Sequence, residues 1–408
     1  MNISSKFSVH NSAWAASFVL LISFLLGWAN AKWLSGWIDN QDYIIRIWFL
    51  ICLVPLVGIA FRQNQAKLSP TLNAFNKQRI IGKMKAFVLQ LVCVVCMAFL
   101  AMQVASEYAA TFMTFVGDMI FIIPVIILLS PFYITFVDRR LANPEDEYAK
   151  IGTMFVDKNK IDVEIIKSFM LKTLVKSIFI PYMYGGFIDN LALLLSTPVA
   201  ANPVTLSLLL FNIGISIDML IGVFGYLVTS SLINNQVKDT DRNFLGWAFA
   251  LVCYPPLFDL LHNLHQQTDN LIWSDILPSN SIVYWIMFGA INVLWIIYWL
   301  ATIEFGMGFS NLSWRKLVNT GVYRYTKHPA YVAKNLYWWL HTLPFCGVAW
   351  FSANWWHNML ALFGTSLVYY GRACSEERHL MKFPEYRAYA EHISKHGLFR
   401  KLKLPFIK

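Results

Sequence analysis

Charge is scarce in this chain. Only 14% of its 408 residues are Asp, Glu, Lys or Arg, against roughly a quarter in ordinary soluble domains. Hydrophobic residues make up 57%, and the mean hydropathy is +0.50. That balance excludes a soluble multidomain protein and an intrinsically disordered one. The six cysteines mostly sit inside apolar runs, where a thiol behaves as a small hydrophobe, so a disulfide-stapled secreted fold is excluded too. Strand-length alternation is missing, which removes the outer-membrane barrel. Internal repeats and low-complexity tracts are also absent. Acidic residues are the rarer sign, 23 against 33 basic, for a net charge of +10.

What is abundant is long apolar sequence. A bilayer core of about 30 Å takes roughly 20 helical residues, and ten segments of suitable length can be drawn: 13–31, 43–61, 86–105, 111–137, 178–196, 205–233, 244–261, 282–305, 331–351 and 355–371. Backbone groups in lipid must be satisfied internally, so each is expected to be helical. The predicted fold is therefore all-α, a polytopic integral membrane protein of about ten transmembrane helices ending in a helical hairpin. Lys and Arg are retained on the cytoplasmic side. With both termini there, all of the 33 basic residues except Lys32 and Arg46 fall on that side or at the inner ends of spans. Lys6, the apolar stretch from Ala13 and Ala29-Asn30-Ala31 also fit a signal peptide loosely, but cleavage would not change the downstream orientation. The mixed-charge stretch 138–176 reads as a cytoplasmic loop followed by an interfacial amphipathic helix over 161–175. The basic balance is a topology signal first and an attraction to anionic membrane lipids second; nothing asks for nucleic acid.

Polar chemistry collects in two places near the carboxyl terminus. One is Gly321-Val322-Tyr323-Arg324-Tyr325-Thr326-Lys327-His328-Pro329-Ala330-Tyr331, before the ninth span; the other is Arg372-Ala373-Cys374-Ser375-Glu376-Glu377-Arg378-His379-Leu380, after the tenth. A short connection between those spans makes an antiparallel hairpin, which returns the second motif to the side of the first. Pro329 turns the chain and starts the ninth helix. The helix amino terminus, with Lys327 and His328, offers donors for a ligand carboxylate. Arg372 and Glu376 share one helical face, whereas Glu377 is turned about 100° from it. One glutamate can then accept from a ligand while the other anchors a loop.

Taken in order, these motifs resemble the isoprenylcysteine carboxyl methyltransferase family and, more distantly, the phospholipid methyltransferases. The residues that carry the resemblance are Gly321, Tyr323, His328, Pro329 and Tyr331, then Arg372, Glu376, Glu377 and Leu380, then Phe383, Tyr386 and Tyr389, with a similar closing stretch from Leu404 to Lys408. Lys327 stands where that family has arginine, Ala333 and Pro384 where it has glycine. The resemblance spans 282–408, about a third of the chain, and suggests a leading membrane domain over 1–275 and a methyltransferase-like domain over 276–408. It implies S-adenosylmethionine as cofactor and a lipophilic acceptor at the cytoplasmic membrane face, an isoprenylcysteine-type carboxylate above others. It further implies that Tyr323, Lys327, His328, Pro329, Tyr331, Glu376 and Glu377 line the cofactor pocket, with His328 toward a carboxylate and a glutamate toward ammonium or ribose. Arg372 and Glu376 are the candidate catalytic residues, Arg372 holding the acceptor.

Other readings compete. A phospholipid amine methyltransferase would share the cofactor site, a membrane reductase of the steroid reductase type would take NADPH, and a transporter would use the leading spans. Arg372 and Glu376 can be an ordinary i, i+4 pair. Arg315, Lys316, Arg324 and Lys327 read as topogenic, lipid-facing charges, and Arg378, His379, Lys382 and Arg387 as a solvated helix face. Cys93-Val94-Val95-Cys96 reads as packing, and His262 with His265 is too few ligands for a metal. Glu304-Phe305-Gly306-Met307-Gly308 reads as the end of a helix, not a nucleotide-binding turn. Asp189, Asp218 and Asp259 are ionisable groups inside predicted spans, which by default suggests a function.

Overall fold

A computed structural model of the protein describes residues 10–38, 40–63, 69, 71–157, 161–197, 203–231, 235–269, 271–343 and 347–400. Lys6, Cys346 and the closing stretch Leu404–Lys408 lie outside them. The described chain is helical almost throughout: α1 (His10–Leu34), α2 (Gln41–Gln63), α3 (Lys77–Val104), α4 (Ala109–Arg140), α5 (Glu147–Met154), α6 (Val163–Ser196), α7 (Pro203–Leu227), α8 (Phe244–Leu251), α9 (Phe258–His265), α10 (Trp273–Ile276), α11 (Ile282–Phe305), α12 (Pro329–Thr342), α13 (Ala353–Leu380) and α14 (Pro384–His396). Local sequence explains the starts. Asn76, Asp146, Asp162, Asn243, Ser281 and Ser352 cap their helices through side-chain oxygens that accept backbone N–H groups. Pro329 and Pro384 occupy first-turn positions where the missing N–H costs nothing.

Among the described residues, five helical segments are long and apolar enough to cross a membrane: Lys77–Val104, Ser106–Arg140, Val163–Ser196, Thr205–Leu227 and Ile282–Phe305. The chain is thus an all-α membrane protein. Three expected segments take other forms. The predicted span 244–261 is two helices of 8 residues each, α8 and α9, because Pro255 and Pro256 interrupt it. Both pack along α13, and Thr268 ties the far end to α13 by donating from its N and Oγ1 to Asn358 Oδ1 at 3.0 and 3.1 Å. The predicted span 331–351 is a helix of only 14 residues, ending before Leu343 in the left-handed region at φ 37°. Its length of about 21 Å is short of a bilayer core. The predicted interfacial helix 161–175 is not separate but the first half of α6, which runs 34 residues without a break.

The main hydrophobic core gathers α1, α2, α6 and α7, with Trp48, Phe179, Phe187, Leu220 and Phe224 fully buried. Glycines bring helices together where the site is built. A Cβ on Gly214 would stand 1.8 Å from Trp299 Cε2, so only a hydrogen lets α7 press onto α11. Two short strands, β1 (Asp239–Thr240) and β2 (Ser313–Trp314), pair antiparallel with Asp239 opposite Trp314. This ribbon staples the segment after α7 to the loop after α11. Of the three aspartates expected inside spans, Asp189 accepts from Thr111 at 2.7 Å and Thr114 at 3.4 Å and so fastens α6 to α4. Asp259 lies in the first turn of α9.

Candidate active site

The loop between α11 and α12 is held at both ends. Gly306, at φ +50°, ends α11. Glu304, buried two residues earlier, accepts from Thr320 Oγ1. Its Oε1 would lie 1.9 Å from a Cβ on Gly321, and Gly321 itself has φ +51°. Both facts demand glycine there. The following turn, Gly321–Arg324, buries Tyr323, whose carbonyl accepts from the Tyr389 hydroxyl of α14 at 2.8 Å. Leu398 N donates to Tyr325 O at 2.7 Å, so the carboxyl-terminal helix clamps the loop from outside.

The loop delivers Lys327 and His328 to the start of α12. Lys327 is buried and paired with Glu377 Oε1, and His328 Nε2 stands 3.6 Å from Glu377 Oε2. Burial pushes the Glu377 carboxyl up, but its contacts with His328 and Lys327 outweigh that and hold it below the usual carboxylate range. The His328 ring stacks on Tyr331, centroids 5.6 Å apart. Glu376 faces elsewhere and accepts from the Tyr331 hydroxyl at 2.7 Å.

Arg372 does not pair with Glu376, so the ordinary i, i+4 reading is set aside. Its Nη2 donates to Asn311 Oδ1 at 2.6 Å, and its guanidinium carbon lies 5.4 Å from the ring centroids of both Tyr254 and Tyr331. Asn311 is itself fixed, donating Nδ2 to the Tyr254 hydroxyl at 3.0 Å and its backbone N to the Tyr226 hydroxyl at 2.7 Å. Among the described residues no carboxylate comes within ion-pair distance of Arg372.

These groups enclose a cavity of about 440 Å³, within the range of small-molecule sites. Tyr323, Lys327, His328, Tyr331, Arg372 and Glu376 all line it. Pro329 and Glu377 are not on its wall: Pro329 sits in the first turn of α12 and Glu377 is turned to Lys327. The cavity also corrects the reading of Lys327, Arg315 and Lys316 as lipid-facing. Arg315, only 4% exposed, and Lys316 both line it, because the β2 ribbon turns this segment inward. Arg315 Nη1 donates to Asn235 O at 3.2 Å, while its Nε and Nη2 have no partner. Burial pushes its guanidinium down to about 10 and lowers the Lys316 ammonium as well.

His379 is a second correction. It is 3% exposed rather than solvated, with Nδ1 3.9 Å from Asp241 Oδ1 and neither ring nitrogen hydrogen-bonded. It borders a smaller cavity of about 40 Å³ shared with Asp241, Arg372 and Glu376. Asn311, Tyr254 and Arg315 carried no motif. Asn311 and Arg315 follow the end of an apolar span and Tyr254 directly precedes Pro255, and only the ribbon and the α8–α9 break bring them to the site.

The family model for phospholipid methyltransferase matches residues 282–383. The matched segment contains Arg372, Glu376 and the whole α11–α12 loop, and the match supports a membrane methyltransferase. No curated protein and no solved structure matches the chain.

Proposed function

We propose that the protein transfers a methyl group from S-adenosylmethionine to a lipophilic acceptor at the cytoplasmic membrane face, the acceptor being an isoprenylcysteine-type carboxylate. One observation carries the reading. Arg372 and Glu376, a turn apart, enter the same buried cavity yet are held apart by different partners, Asn311 and Tyr331. A cation without an acidic partner and an acid without a cationic one are poised for two ligand groups of opposite character.

The residues suit the cofactor. Unpartnered donors at Arg315 Nε and Nη2 match a carboxylate, and Glu376 retains an oxygen for an ammonium or ribose hydroxyl. Tyr323 and Tyr331 supply flat walls. When bound, the cofactor supplies an electrophilic methyl carbon on sulfur. Arg372 orients an acceptor carboxylate, which is already nucleophilic and needs alignment more than a base. The tyrosine-rich wall excludes water.

A specific observation favours a second reading. The family match is to phospholipid methyltransferases, and an amine acceptor must shed a proton. His379 beside Asp241, bordering the smaller cavity, is placed to take one. The deciding experiment incubates the full chain in lipid with radiolabelled S-adenosylmethionine, giving N-acetyl-S-farnesylcysteine in one arm and phosphatidylethanolamine in another. Label in the first supports the carboxylate reading, label in the second the amine reading. Failure of the protein to bind S-adenosylhomocysteine sinks both.

A further inference from the structure

Much of the cavity wall comes from outside the matched segment, from Phe211, Ile215, Asp218 and Met219 on α7 and from Tyr254 and Phe258. Gly214 lets α7 approach α11. One turn later on the same face, Asp218 Oδ2 accepts from the Tyr298 hydroxyl at 2.8 Å. Its other oxygen, Oδ1, is buried and has no partner. A carboxylate inside a membrane segment is costly, and one left half-satisfied at a cavity wall points to a ligand donor. Lys334 of α12 also lines the cavity, its Nζ over the Tyr298 ring at 4.2 Å from the centroid. Among the described residues it meets no carboxylate within ion-pair distance. A carboxylate at the hydroxyl and an ammonium over the face of one aromatic ring therefore stand near each other without an ion pair, beside the apolar side chains of Phe211, Ile215 and Met219.

We propose that Asp218 and Lys334 form the acceptor-recognition subsite. It takes a lipid in which an N–H donor lies next to an anionic group, Asp218 receiving the donor, Lys334 facing the anion together with Arg372 on the same cavity wall, and the α7 side chains holding the lipid chain. The inference rests on the methyltransferase reading and assigns the leading helices a role in choosing the acceptor. The same pairing of donor and anion occurs in a prenylated cysteine, as amide beside carboxylate, and in phosphatidylethanolamine, as ammonium beside phosphodiester.

The test measures two affinities by calorimetry on the full-length protein in detergent–lipid mixtures: S-adenosylhomocysteine, and a lipid, either N-acetyl-S-farnesylcysteine or short-chain phosphatidylethanolamine. Asp218→Asn keeps shape and the Tyr298 bond, and Lys334→Gln removes only the charge. Each is expected to weaken the recognised lipid at least about tenfold, as for loss of a charged hydrogen bond. Nucleotide affinity should stay within about twofold, since these residues bind no part of it. The lipid that responds identifies the source. Unchanged affinity for both lipids overturns the proposal, as does a parallel loss of nucleotide affinity, which would move the pair into the cofactor shell. If the unaltered protein binds no S-adenosylhomocysteine, the methyltransferase reading fails instead, and the lipid arms still decide the subsite.

Discussion

Arg372 and Glu376 lie one helical turn apart on α13 and do not touch: the guanidinium donates to Asn311 Oδ1 at 2.6 Å and the carboxylate accepts from Tyr331 at 2.7 Å. In isolation such a pair would join. Asn311, held by Tyr226 and Tyr254, keeps them apart and leaves each with capacity for a ligand.

Arg372→Ala should therefore depress turnover far more than nucleotide binding. A loss of about a hundredfold or more in kcat with S-adenosylhomocysteine affinity within about threefold is expected for a residue that orients the acceptor. Arg372→Lys should recover little, because the fork between Asn311 and the two tyrosine rings is lost. An equal fall in both quantities would place Arg372 among the cofactor contacts.

Glu376→Gln and Glu377→Gln should separate cleanly. The first removes charge from the cavity wall and should weaken nucleotide binding about tenfold with little change in thermal stability. The second strands buried Lys327 and should cost about 3 kcal/mol of stability, read as a lower unfolding midpoint. Reversed behaviour would exchange their roles.

The same ion pair sets a pH dependence. Because Glu377 is held below the ordinary glutamate value when folded, the unfolded chain binds more protons in the window beneath about 4.3. Its contribution is present above that value and fades as pH falls through the lower folded-state one. Thermal melts between neutral and acid pH should show a wild-type decline that Glu377→Gln flattens.

Gly321→Ala introduces a side chain at φ +51° and against Glu304 Oε1. Strain of about 1–3 kcal/mol is expected, with weakened nucleotide binding because Tyr323 and the approach to His328 are displaced. Calorimetry with S-adenosylhomocysteine checks it: affinity equal to wild type would show that the loop does not govern the site.

The start of α12 was legible because Pro329 is a local signal. So was the meeting of the last two motifs, since Lys327 and Glu377 are brought into contact by antiparallel α12 and α13. Span counting erred where hydrophobic length was read without its breaks: Pro255 and Pro256 divide one expected crossing, and Leu343 ends another early. Arg315 was misplaced because charge-based topology locates a residue by side of the membrane, not by depth, and only the pairing of Trp314 with Asp239 turns it inward. Asp218 is legible as an acid inside an apolar segment, but its partner Tyr298 depends on helices meeting at Gly214, which no nearby sequence announces.

The two-residue ribbon of β1 and β2 has a practical corollary. Transplanting the stretch from residue 282 onward into a foreign anchor would carry the reactive ends along but leave behind Asp239, the strand partner that orients Arg315, and Tyr226, which steadies Asn311. Such a chimera would own the motif yet not the chamber, so excision experiments should cut ahead of the first helix of the core rather than between the two halves.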